Sequence, residues 1–204
     1  TWRFDNFSSL SCGYFHVCST PERSYVDKYR QIGYDNIIVA NWHANVDWFP
    51  KIAYSEKKID KSFIGAPNAS RKKFFDLSEV EVEYFYGLSQ KELFEAYSNS
   101  KLSINLSVNN NDPDKKTQMK QRLFEVPAGA GMLVTEYHDG IEEYFDIDKE
   151  IITFSTVNEF KEMSFFAKKP QIIEKIAMAG HNRFLKEHES QIRLSKILEE
   201  IMTK

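Results

Sequence analysis

Along most of the chain, short runs of apolar and β-branched residues alternate with stretches in which apolar positions recur every three to four residues. The first pattern suits strands buried on both faces and the second suits helices laid over them. The alternation therefore predicts an α/β fold, a Rossmann-like parallel sheet flanked by helices. Strands are expected at 14–18, 36–40, 61–64, 80–86, 102–108, 132–136 and 151–154. Helices are expected at 21–32, 71–77, 90–99, 118–128, 141–145 and 157–167, and again from 171 onward with breaks near Gly180 and Glu189. Ser19-Thr20-Pro21 offers a capping hydroxyl and a first-turn proline, Ser89 with Glu92 spells a capping box, and Gly33 and Gly87 close elements.

Two segments interrupt the alternation. Residues 42–60 have no clean period and carry Pro50 and the charge run Ser55-Glu56-Lys57-Lys58, so they read as a linker between two wound units. Residues 109–116 form a polar loop at a strand's carboxyl end, where open α/β sheets place ligands.

Composition narrows the classes. A chain of 204 residues with 42% hydrophobic and 14% aromatic content can bury a sizeable core. Lys plus Arg total 27 against 30 Asp plus Glu, so a net charge of -3 gives no global attraction to nucleic acid, and an anion must be held by a local site. Cys12 and Cys18 are too few for a disulfide framework, which points to a reducing, cytoplasmic compartment. No apolar run approaches the roughly 18 residues of a membrane span. The opening Thr1-Trp2-Arg3-Phe4, without a methionine, reads as the middle of a longer protein.

Candidate chemistry centres on the expected helix 118–128. Gln118, Arg122, Glu125 and Gly129 fall at i, i+4, i+7 and i+11, on one face near a strand end. A guanidinium there can neutralise a diphosphate while a carboxylate takes two sugar hydroxyls. On a solvated face the same residues are an ordinary internal ion pair. The second candidate is Ser62-Phe63-Ile64-Gly65-Ala66-Pro67-Asn68-Ala69-Ser70-Arg71, a strand and small-residue loop entering a helix, whose free amides and Arg71 can take phosphate oxygens. Gly129 and Gly131 follow a helix and precede a strand, the reverse of a dinucleotide fingerprint. Asp112-Pro113-Asp114 reads as a turn, and the histidines at 16, 43, 138, 181 and 188 lack ligand spacing, so no metal site is expected.

Taken in order, Phe63-Ile64-Gly65 with Arg71, the stretch from Leu93-Phe94 to Leu106, Arg122-Leu123-Phe124-Glu125, Ala128-Gly129, Leu133-Val134-Thr135, Gly140 to Phe145 and Ile176-Ala177 to Gly180 resemble the glycosyltransferase group-one superfamily. The likeness is greatest to its branch similar to the spore maturation protein CgeB. Asn45-Val46-Asp47 with Phe49-Pro50 resembles the interdomain segment of those enzymes. The resemblance implies a GT-B fold in which 1–41 are the last βαβ unit of an amino-terminal acceptor domain, 42–60 the linker, and 61–204 the donor domain with terminal helices. It implies a nucleotide-diphosphate sugar as donor, no cofactor and no obligatory metal. Glu125 matches the glutamate that contacts the donor's ribose, Arg122 is placed as a diphosphate partner, and Thr135 to Glu142, with Gly140, form the loop beside sugar and phosphates. Gly65 and Arg71 complete the expected donor-binding set. Thr117 stands where the superfamily has a second glutamate, so the transfer stereochemistry does not carry over.

The expected function is hexose transfer from a nucleotide sugar to an unnamed acceptor, by a chain inactive alone. The alternative is a catalytically silent module of the same fold in surface or coat assembly. Leu194, Ile197, Leu198 and Ile201 form an apolar face on the last helix, through which the chain is expected to self-associate as a homodimer.

Overall fold

The computed structural model describes residues 4–107, 118–163 and 169–204. A small amino-terminal unit pairs β1 (Cys18–Thr20) in parallel with β2 (Ile37–Val39), with α2 (Val26–Gln31) crossing between them after the one-turn helix α1 (Ser9–Ser11). Phe4, Cys12, Tyr29 and Ile37 form its private core.

The larger unit is a five-stranded parallel sheet built from β3 (Ile59–Ile64), β4 (Glu83–Phe85), β5 (Ser100–Asn105), β6 (Met132–Glu136) and β7 (Ile152–Phe154). Its spatial order is β4-β3-β5-β6-β7. The connecting helices are α3 (Ala69–Ser78), α4 (Gln90–Asn99) and α5 (Arg122–Ala128), followed after β7 by α6 (Val157–Met163), α7 (Pro170–Glu187) and α8 (Ser190–Met202). Two cores lie on the two faces of the sheet. Alternation assigns residues between them: Phe63 joins one and Ile64 the other, while Met132 and Val134 face the first and Leu133 the second. α7 starts in the first core with Ile173 and Ala177 and ends in the second with Phe184.

Several boundaries differ from those the sequence predicts. The first strand begins at Cys18, because the Phe15 amide closes a turn on Cys12 O at 3.0 Å. The helix expected at 21–32 is a 3₁₀ turn (Arg23–Tyr25) leading into α2; the Thr20 hydroxyl meets the Glu22 amide at 3.4 Å and caps no helix. The helix expected from 118 begins at Arg122. Upstream of it the Gln118 amide is committed to Ser107 O at 3.2 Å and the Met119 side chain is buried against Asn41. Residues 141–145 give only a 3₁₀ turn, Ile141–Glu143.

Gly180 does not break α7. A Cβ at this position would collide with the carbonyl oxygen of Glu150, so glycine marks a close helix–loop approach. Nor is 42–60 loosely attached: Phe49 is buried, Ala44 bridges Glu189, and the Ser190 amide donates to Ala44 O at 3.0 Å. Lys57, part of the charge run by which 42–60 reads from sequence as a linker, is 3% exposed. Its ammonium donates to Ser98 O and, at 2.8 Å, to Gly129 O, so one cation closes the carboxyl ends of α4 and α5.

α8 lies along β2. Its apolar residues divide, with Ile197 and Ile201 half-buried and Leu194 and Leu198 exposed. Val108, the loop 109–116 with Asp112-Pro113-Asp114, Thr117 and the end of the helix expected at 157–167 lie outside the described residues.

Candidate functional site

The chain leaves β3 to form β4 on one side and returns to form β5 on the other. Connections thus diverge between β3 and β5, and the carboxyl ends of these two strands frame a crevice at this switch point. Gly65 follows β3, and Asn105 ends β5. The crevice, of about 360 Å³, is lined by Gly65, Tyr86, Lys120, Gln121, Arg122 and Glu125 among others.

Its floor is cationic. A Cβ on Gly65 would come within 2.7 Å of Arg122 Nη2 and 3.2 Å of Arg71 Nη1, so the absent side chain is what admits both guanidinium groups. Both also lie over the buried Phe63 ring, 5.3 Å from its centroid for Arg71 and 5.7 Å for Arg122. Arg122 Nη1 donates to Asn105 Oδ1 at 3.2 Å, and Arg71 Nη1 donates to Ala66 O. Lys120 completes the set. Burial, then the neighbouring Arg122 and Arg71, press its ammonium down to about 8. Burial and Arg122 likewise lower Arg71. Three cations that disfavour one another's charge form a site that gains by taking up an anion.

Glu125 borders this floor on α5 and is 7% exposed. Burial lifts its carboxyl to about 7, against the pull of Arg122 and a hydrogen bond from the Tyr97 hydroxyl. It also lines an adjoining pocket of about 600 Å³ between α4, α8 and residues 40–45.

Four of the six residues expected to bind a donor therefore meet in one crevice: Gly65, Arg71, Arg122 and Glu125. Thr135 lies a layer deeper. It is fully buried, and its hydroxyl accepts from Asn105 Nδ2 at 2.9 Å, so it bears on the crevice through Asn105 and Arg122. Gly140, in the left-handed region at φ 86°, lines a different cavity beside His138 and Glu143. The expectation of free amides at the start of α3 is corrected in part, because Asn68 Oδ1 already accepts from the Arg71 amide at 2.9 Å. Gln118 and Gly129 do not share the face of Arg122 and Glu125. Gln118 precedes the helix, and Gly129 ends it against the backbone of Tyr97 and Ser98.

Sequence reasoning missed Lys120 and Asn105. Lys120 sits off the helical face, and Asn105 reads as one polar position in an apolar strand; the run of inward polar residues Ser103, Asn105 and Ser107 was the available signal. Among the described residues, no group of three His, Cys, Asp or Glu is placed to hold a metal ion, and no helix is long and apolar enough to cross a membrane.

The family model for glycosyl transferase-like proteins matches residues 48–199, which takes in the whole crevice and all five strands of the larger sheet. The chain belongs to this glycosyltransferase family. Solved structures agree on the fold, that of GT-B glycosyltransferase domains. A glycosyltransferase from Rickettsia africae superposes with a TM-score of 0.67 at 12% identity, over 95% of this chain and 72% of that one. Anabaena HepE, solved with UDP and glucose, gives 0.74 at 8% identity, over 96% and 65%. Sucrose-phosphate synthase from Thermosynechococcus elongatus gives 0.64 at 11%, over 92% and 58%. The chain thus spans between about half and three quarters of the length of these proteins. No curated protein sequence matches it. In this glycosyltransferase-family chain, three cations and one buried carboxyl meet at the crevice formed by the ends of β3 and β5.

Proposed function

We propose that the chain is the donor-binding part of a glycosyltransferase and holds a nucleoside-diphosphate sugar for hexose transfer. The observation that carries this reading is the convergence of Arg71 and Arg122 on Gly65 at the switch point of the sheet, with Lys120 lining the same crevice. A diphosphate supplies the negative charge these groups lack, without a metal ion. Glu125 then accepts the ribose hydroxyls, and the exposed Tyr86 offers its ring to the base. HepE, crystallised with UDP-glucose, has the same fold and supports this choice of ligand class.

In this reading residues 1–41 belong to an acceptor lobe, 42–60 join the lobes, and the parent enzyme is of the CgeB-like branch, acting in the cytoplasm. The exposed Leu194, Leu198 and Met202 on α8 give it a surface for self-association. Calorimetry with UDP, GDP and ADP, with and without chelator, tests the donor site. One nucleoside diphosphate should bind, chelator should leave its affinity unchanged, and Arg122→Ala should weaken it. Loss of binding on chelation, or equal binding by the variant, refutes the metal-free cationic site.

A further inference from the structure

Between segment 46–57, the carboxyl end of α5 and one face of α7 lies a cavity of about 570 Å³, a size that takes a small molecule. Among the described residues it shares no lining residue with the cationic crevice. Glu174, Met178, His181 and Leu185 fall at i, i+4, i+7 and i+11 on α7, so a single helical face borders the cavity, and Met178 and Leu185 remain exposed on it. Phe49 and Ile52 add apolar surface from the segment 46–57.

One charge is set into this apolar wall. Lys57 and Gly129 both line the cavity, and the Lys57 ammonium donates to Gly129 O at 2.8 Å and to Ser98 O. An ammonium has three donors, so one remains. The two carbonyls supply hydrogen bonds and no counter-charge. Burial presses the ammonium down to about 8, and no acidic group among the described residues offsets it.

The neighbouring groups leave that cation alone in the interior of the cavity. His181 Nδ1 donates to Pro127 O at 2.7 Å, and burial, together with the nearby Lys57, lowers its ring and keeps it neutral against the pull of that carbonyl. Lys51 and Glu174 stand exposed at the rim, where water screens both.

A buried cation without a counter-ion is costly, and a carboxylate brought to it relieves that cost through a charge-assisted hydrogen bond. An alcohol makes the weaker neutral bond, and an amine is repelled. A phosphate dianion would leave charge unmatched against the apolar wall. We propose that this cavity binds a small carboxylic acid with an apolar body, the carboxylate taking the free donor of Lys57 and the apolar body lying along Met178 and Leu185. The site is separate from the donor crevice and does not rest on the donor-site reading.

The test titrates the whole chain with octanoate, octanol and octylamine at neutral pH. Calorimetry gives the affinities, and the methionine methyl resonances give the place of binding. Met178 stands in the wall of this cavity, whereas Met119 precedes the crevice-lining Lys120. Octanoate should move Met178 saturably and leave Met119 in place. Octanol should bind about tenfold more weakly or worse, and octylamine should not bind. Lys57→Met should lower octanoate affinity by about tenfold or more. Because that variant also loses stability, Met178→Glu at an exposed position provides a second: it should abolish octanoate binding with circular dichroism unchanged. Octanoate that leaves Met178 unmoved overturns the proposal, as does octanoate that moves only Met119 and so sits in the crevice. Equal affinity for octanoate and octanol, or undiminished octanoate binding by Lys57→Met or Met178→Glu, overturns it as well.

Discussion

Arg122 reaches the crevice with its guanidinium pinned at 3.2 Å to the side-chain oxygen of Asn105, whose own amide is held at 2.9 Å by Thr135. Three adjacent elements, α5, β5 and β6, thus fix one cation through two hydrogen bonds. Thr135 itself is fully buried, its hydroxyl donating to Glu136 O at 3.0 Å.

Asn105→Leu should therefore act on ligand affinity through Arg122. Arg122→Ala removes a charge-assisted contact and should cost about 1.5–3 kcal/mol of diphosphate binding. Asn105→Leu keeps the charge and loses its orientation, so a part of that loss is expected. The double variant should bind no worse than Arg122→Ala alone, since the second change then has nothing left to orient. Calorimetric affinities for the four proteins form the cycle. Additive losses would show that Asn105 acts independently of Arg122.

Gly65→Ala separates binding from stability. The new methyl meets the ends of two flexible side chains, Arg122 at 2.7 Å and Arg71 at 3.2 Å, and the Phe63 ring at 3.3 Å. Both guanidinium groups can swing away, so unfolding free energy should change by no more than about 1 kcal/mol. Displacing both from the anion should weaken diphosphate binding by about tenfold or more. Urea denaturation and calorimetry on the same variant give the two numbers, and a stable variant with intact affinity would remove the cations from the site.

Lys57→Met should show the reverse profile. The thioether matches the lysine stem, but the Ser98 and Gly129 carbonyls lose their donor inside the protein. An unsatisfied buried acceptor costs about 1–3 kcal/mol, so a loss of about 2–5 kcal/mol is expected, with diphosphate affinity unaffected. A change below about 1 kcal/mol in urea would mean that these carbonyls are hydrated.

The elements legible in the sequence were those whose period and caps agree. α4 (Gln90–Asn99) has both its amphipathic spacing and the Ser89–Glu92 box, and β6 is a continuous apolar run; the structure has both at the predicted residues. Elsewhere long-range contacts override local pattern. Lys57 looks like one charge of a linker until two helix ends are brought to it, and Gly180 looks like a breaker until Glu150 is packed on α7. The same holds at the site. Arg122 and Glu125 were visible because helical spacing joins them, whereas Lys120 and Asn105 acquire meaning only when α5 is set across the end of β5.

Two buried groups should give the fold opposing pH dependences. Burial raises Glu125 from 4.5 to about 7, so the native state holds this proton more tightly than the unfolded chain. Its stabilising contribution is complete below pH 4.5 and is lost as pH rises through about 7, a change of about 3 kcal/mol. His188 joins α7 to α8 among Phe124, Tyr144 and Phe145, with Nε2 donating to Tyr144 O at 2.8 Å and Nδ1 buried without a partner among the described residues. Burial there presses it from 6.5 down to about 4, so the unfolded chain binds the proton more tightly. Its contribution is complete above pH 6.5 and is lost as pH falls through about 4, again about 3 kcal/mol. Urea unfolding of wild type, Glu125→Gln and His188→Phe from pH 4 to 8 resolves the two, because differences between curves cancel the remaining titrations. The wild type should lose stability relative to Glu125→Gln as pH rises from 4.5 to 7. Relative to His188→Phe it should gain as pH rises from 4 to 6.5, on top of a constant offset from the Tyr144 carbonyl left without its donor. A pH-independent difference for Glu125→Gln would mean that this carboxyl is hydrated in the native crevice, and the same result for His188→Phe would mean that water reaches the junction of α7 and α8.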